Sequence, residues 1–156
     1  MKTKKETRTA QTQTKTQTTG RKLCFIDIEN FIGKAQFTLE DAQKARKRIE
    51  KVTGLSDHDL IVVGTSHSAN FFSAKMAWNG AQHVWGKGKN GGDNALLETV
   101  PEYKVENFEE VVFVTGDGIF ADMVDEIAAR GTIVTVIYGR GYCSNRLKAV
   151  ATCVAA

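Results

Sequence analysis

The sequence predicts a single three-layer α/β domain with a mainly parallel five-stranded sheet flanked by helices. Three observations predict it: short apolar runs, segments of helical spacing between those runs, and glycines that fall at the junctions. The chain has 156 residues and 42% hydrophobic content, enough for one packed core. Fourteen glycines against a single proline punctuate it in the way turns and helix ends require.

The elements follow in order. Residues 1–21 are almost entirely Thr, Gln and Lys, with no large apolar side chain after Met1, so burial cannot offset the entropy of ordering. This predicts a disordered basic tail, with the folded domain over 22–156. From Met1 to Lys22 seven cations stand against Glu6 alone, a charge of +6 that leaves −3 for the remainder of a chain whose total is +3. A basic tail is compatible with phosphate backbones and equally with a purely solubilising role. Lys22 to Ile28 is the first buried strand, ending in acids. Thr38-Leu39-Glu40-Asp41 has the form of a capping box, Leu39, Ala42, Ala45, Ile49 and Val52 follow helical spacing, and Gly54 supplies a stop. Leu60 to Val63 is a second strand, followed by a helix near Ser68 to Trp78, a strand at Gln82 to Trp85 and a helix near Asp93 to Val100. A strand at Glu110 to Thr115, a helix from about Ile119 to Arg130 stopped by Gly131, a strand at Ile133 to Tyr138 and a last helix from about Asn145 complete the pattern. Such alternation implies right-handed crossovers and a sheet covered on both faces.

Several classes are excluded. No apolar stretch reaches the roughly 20 residues needed to span a bilayer, and no apolar signal core opens the chain, so a soluble cytoplasmic protein without membrane contact is expected. Cys24, Cys143 and Cys153 are odd in number and lack C-x-x-C spacing, which speaks against a disulfide framework or a zinc site. His58, His67 and His83 are not at ligand spacing. Gly86-Lys87-Gly88-Lys89-Asn90-Gly91 satisfies G-x-G-x-x-G, but it follows a later strand and no acid ends the next strand to hold a ribose.

In open parallel sheets, ligands bind beyond the carboxyl ends of the strands where the strand order reverses. The first strand ends in Asp27-Ile28-Glu29-Asn30, the fourth in Thr115-Gly116-Asp117-Gly118, and the loop after the third leads into Asp93. If the first and fourth strands are neighbours, Asp27 and Asp117 face each other, with Asp93 and Asp122 brought in from helix starts. Two like charges 4 Å apart repel by about 1 kcal/mol in water and about 4 kcal/mol at an effective dielectric of 20. Such a cluster calls for a cation, and oxygen donors suit magnesium or manganese. For Asp93 and Asp117 helix capping is the plainer alternative. For Asp27 an acid within a buried strand demands a partner.

Phe25-Ile26-Asp27-Ile28-Glu29-Asn30, Gly91-Gly92-Asp93-Asn94-Ala95-Leu96-Leu97, Val114-Thr115-Gly116-Asp117-Gly118-Ile119-Phe120-Ala121-Asp122 and Ser144-Asn145-Arg146-Leu147 together resemble the NYN domain, a branch of the PIN-like fold. The resemblance runs from about Lys22 to Ala151. It implies a PIN-like, Rossmann-like architecture and a metal-dependent ribonuclease, with Asp27, Asn30, Asp93 and Asp117 as site residues and Mg2+ or Mn2+ as cofactor. Many relatives carry a further aspartate where this chain has Ile119, and Asp122 is the candidate substitute as a metal ligand. RNA is then the expected partner and a homodimer is compatible. Read from the residues alone, Lys87 and Lys89 in the glycine-rich loop, and Arg140, Arg146 and Lys148 with Tyr138 and Tyr142 nearby, are candidate phosphate and base contacts, a solvated surface being the plainer alternative for each. Trp78 and Trp85 read as core or groove wall, with stacking on a base the lesser reading for Trp85.

Two rival readings stand beside this one. A haloacid-dehalogenase-type phosphatase would use Asp27 as nucleophile, Gly116-Asp117-Gly118 as metal loop, Thr65 or Ser66, and Lys75. Against it, Glu29 stands where an aspartate acid is needed, and the chain lacks room for a cap. The other is an RNA-binding or scaffolding module without catalysis, suggested by Ile119.

Overall fold

The computed structural model describes residues 20–156, and the tail expected over 1–21 lies outside them but for its last two positions. Arg21, assigned above to the tail, is held. Its Nε donates to the His58 carbonyl (2.6 Å) and its carbonyl accepts from the Glu109 N–H (2.9 Å).

The chain runs β1 (Lys22–Asp27), α1 (Ile28–Ile32), α2 (Leu39–Thr53), β2 (Leu60–Thr65), α3 (Ser68–Ala77), β3 (Gln82–Trp85) and α4 (Gly91–Thr99). Then follow β4 (Glu110–Val114), a 3-10 turn (Gly118–Phe120), α5 (Ala121–Ala129), β5 (Ile133–Tyr138), α6 (Asn145–Lys148) and β6 (Thr152–Ala155). All strands are parallel, in the order β3-β2-β1-β4-β5-β6. The fold is therefore the expected α/β domain, with six strands instead of five. β6 escapes the sequence reading because its four residues, Thr-Cys-Val-Ala, carry too little pattern, and pairing with β5 decides their state.

Alternation along each strand builds the two covered faces. Cys24, Ile26, Val63, Val112 and Val114 pack under α1, α2 and α3, whereas Leu23, Phe25, Val62, Val111 and Phe113 pack under α4, α5 and α6. α2 begins as its sequence predicts. Thr38 Oγ1 accepts from the Asp41 N–H and Asp41 Oδ2 from the Thr38 N–H, both at 3.1 Å, closing the capping box. α1 is a departure, since Ile28 reads as the end of the first strand. The chain instead turns at Asp27, and Ile28, Phe31 and Ile32 drop from one helical face into the core until Gly33, at φ 78, ends the helix. Among the described residues, no helix is long and apolar enough to cross a membrane.

Candidate active site

β1 and β4 are neighbours, and the chain leaves β1 towards β2 on one side and returns at β4 on the other. The crevice between their carboxyl ends is thus the point where strand order reverses. Asp27 closes β1 there, on the face of Phe25, and is 2% exposed. Its Oδ2 accepts from Thr115 Oγ1 (3.0 Å), and that hydroxyl accepts from the Asp117 N–H (3.1 Å). One threonine side chain therefore joins the ends of the two central strands. It also sets the direction of the turn that carries Asp117.

The loop after β4 is held from several sides. Asn30 Oδ1 accepts from the Gly116 N–H (2.8 Å), and the Gly116 carbonyl accepts from the Ser144 N–H (2.8 Å). A Cβ on Gly116 would meet the Tyr142 carbonyl at 2.2 Å, so only glycine permits this approach. Asp117 Oδ1 accepts from the Ile119 N–H (3.0 Å), which makes the capping alternative real for this residue. Asp93 is different. α4 starts at Gly91 with Asn90 as its first flanking residue, which leaves Asp93 inside the first turn with no capping role.

The three aspartates share an electrostatic environment. Burial first, and then the charge of Asp93 and a hydrogen bond with it, push the Asp27 carboxyl well above the usual range, while the Thr115 hydrogen bond pulls the other way. Burial raises Asp93 to about 6, opposed by its hydrogen bond with Asp27 and reinforced by Asp117 and Glu29. In the hydrogen-bonded pair the proton rests on Asp27, the more buried of the two. Among the described residues, no ion pair involves Asp27, Asp93 or Asp117. Nor does any group of three or more His, Cys, Asp or Glu side chains enclose a position for a metal ion. The carboxylates therefore converge without forming a closed coordination shell. Their oxygen-only chemistry fits a hard divalent cation, taken up directly or through its waters.

Asp122 is not brought into this group. The first turn after Asp117 is 3-10, α5 starts only at Ala121, and the Asp122 side chain is 95% exposed beside Arg146 (3.4 Å). Ile119 packs partly buried against the core face of α4, α5 and α6. Lys87 and Lys89 are exposed in the loop between β3 and α4. Arg140, at φ 55, follows β5 and lays its Cγ close to Gly33 at the end of α1. Arg146 lies beside Gly118 and pairs with Asp122, and among the described residues none of these cations pairs with Asp27, Asp93 or Asp117.

Glu29, weighed above only as the acid of a phosphatase, has a supporting role in the site. Its carboxylate accepts from the N–H groups of Ser66 (2.9 Å) and His67 (3.3 Å) and from Asn70 Nδ2 (2.8 Å). Ser66 Oγ in turn accepts from the Gly92 N–H (2.8 Å), beside Asp93. Buried Asn70 also donates to the Ala35 carbonyl (2.8 Å) and accepts from the Phe37 N–H (3.1 Å). Glu29 is therefore committed to holding the β2–α3 loop and, through it, the start of α4. The available signal was the spacing Asp27-x-Glu29-Asn30, which places Glu29 and Asn30 side by side to serve opposite flanks of Asp27. The cavity of about 290 Å3 lined by Arg46, Asp57, Asp59 and Trp78 lies at the amino ends of the strands, away from this chemistry.

No protein-family model matches the chain, and no curated protein does. Its fold is similar to the crystal structure of a protein of unknown function from Vibrio parahaemolyticus, with a TM-score of 0.63 and 18% identity over 90% of this chain and 96% of that one. A likeness at that identity establishes the α/β fold of the chain.

Proposed function

We propose that this chain is a cytoplasmic, metal-dependent ribonuclease-like domain that hydrolyses RNA phosphodiester bonds at Asp27, Asp93 and Asp117. The observation that carries the reading is a buried aspartate joined by two more carboxylates at the reversal point of a parallel sheet, with no cation paired to any of them among the described residues. Holding Asp27 and Asp93 buried beside one another disfavours their ionisation unless a cation compensates. Magnesium or manganese, when bound, supplies polarisation of the phosphate, activation of water and compensation of charge on the leaving oxygen. Asp27, Asp93 and Asp117 would hold the ion. Asn30 positions the turn that carries Asp117 through the Gly116 N–H. No covalent intermediate is expected when a metal-activated water is the attacking group.

Two observations weigh on the alternatives. Glu29 is engaged by Ser66, His67 and Asn70, so it is not free to act as the proton donor a phosphatase of the dehalogenase type requires. Ile119, packed on the core, favours as second reading a module that binds RNA without cutting it. Cleavage of a panel of single-stranded and structured RNAs with Mn2+ or Mg2+ decides between them. The expected result is cleavage by the wild type that Asp27→Asn and a chelator each abolish. Intact RNA in every condition, with measurable RNA affinity, would leave the binding module in its place.

A further inference from the structure

We propose that the groove between α3 and the end of β3 is a base-stacking subsite for single-stranded RNA, with Phe72 and Trp85 as the stacking surfaces and Lys87 and Lys89 as phosphate contacts. The proposal rests on the reading of the chain as an RNA-directed domain and assigns the route by which the strand reaches the aspartates. The groove has a volume of about 310 Å3 and is lined by Ser68, Phe71, Phe72 and Trp85. Phe72 is 67% exposed and Trp85 47%, far above what a packed aromatic shows. Met76, one turn beyond Phe72, is 67% exposed as well and extends the apolar strip.

Charge selects the occupant. No acid occurs anywhere from Leu60 to Gly92, a stretch that contains β2, α3, β3 and the following loop. Lys75 sits over the Phe71 ring at 5.8 Å, and Lys87 and Lys89 stand exposed just past Trp85. Among the described residues, none of these lysines takes part in an ion pair. Flat aromatic surfaces beside uncompensated cations are the complement of a strand that alternates bases with phosphates. A second copy of this chain would fit less well, because a two-fold contact on this strip sets one lysine-bearing, acid-free face against another.

The groove is also continuous with the site. Trp85 pairs in register with Thr65, and Gly64 with Asp27, which puts the end of β3 about 10 Å from the end of β1 across two strand spacings. Ser68, in the groove, lies two residues beyond Ser66, which binds the Gly92 N–H next to Asp93.

Trp85 reports on its own occupancy, since the other tryptophan, Trp78, is 2% exposed. A short oligouridylate is titrated in EDTA, where cleavage cannot occur, with inorganic polyphosphate as the charge-only probe. Oligouridylate should quench the fluorescence and polyphosphate should not. Measured by anisotropy of the labelled oligonucleotide, Trp85→Ala and Phe72→Ala should each weaken binding roughly 10-fold, with Trp85→Phe retaining most of the affinity. Their affinity for polyphosphate should not change. Wild-type affinity for oligouridylate in both alanine variants would overturn the proposal, as would sedimentation showing that these aromatics are covered in a dimer. The two readings fail separately. A protein that stacks oligouridylate but cuts nothing with Mn2+ keeps this subsite and loses the nuclease assignment, and one that cuts RNA with unchanged affinity in Trp85→Ala does the reverse.

Discussion

Asp27 combines two properties that oppose each other, near-complete burial and the company of Asp93 and Asp117. Asp93 shows the consequence in measurable form. Burial, with Asp117 and Glu29 nearby, raises its folded-state carboxyl to about 6, above the ordinary 3.8 of an unfolded chain. The folded state therefore holds this proton where the unfolded state has released it, so stability falls as pH rises from about 4 through 6 and stays lowered above that. Asp93→Asn removes the titration. Denaturant unfolding in EDTA should find the variant more stable than wild type at pH 7, with the advantage shrinking to nothing below about pH 4. A difference that does not change between these pH values would mean that Asp93 is not held among like charges. The motif around Asp93 marked it as a site candidate from sequence. Its raised titration was not legible there, because it depends on which strand end Asp27 occupies.

α1 is a helix of only five residues, and its second and third residues serve as clamps for the site. Glu29 gathers the N–H groups of Ser66 and His67 and the Asn70 amide, while Asn30 takes the Gly116 N–H. Hydrogen bonds to a charged acceptor contribute more than neutral ones, so Glu29→Ala should destabilise the fold by about 2–3 kcal/mol in urea unfolding, part of it from N–H groups left unpaired. Glu29→Gln should recover a part of that loss. An alanine variant as stable as wild type would show that the β2–α3 loop is held by other contacts. Most long elements were legible because they carry their own start and stop signals, as the Thr38 box and Gly54 do for α2. α1 was not, since five residues are too few to display a helical period before the tertiary core selects it.

At the scale of the whole molecule, the strand order creates the crevice and β6 closes the sheet. β6 pairs with β5 along its length, the Ala156 N–H reaches the Tyr138 carbonyl (2.9 Å), and Arg48 of α2 donates to the Ala156 carbonyl. Removing residues 152–156 would leave β5 as an open edge with Ile133 already 63% exposed. The truncated protein should melt at lower temperature and self-associate in light scattering, and unchanged behaviour in both would assign β6 no structural weight.

What the sequence determined by itself was the α/β class, the order of the principal strands and helices, and the gathering of acids at strand ends, because each is written in local periodicity and in residues next to one another. What only the tertiary structure decided was which strands are neighbours, that Thr115 ties Asp27 to the Asp117 turn, that Glu29 supports the site instead of joining it, and that Asp122 faces solvent. These depend on pairing and packing between segments far apart in the chain. No local pattern encodes the side on which β4 returns to the sheet, and that return brings the aspartates together.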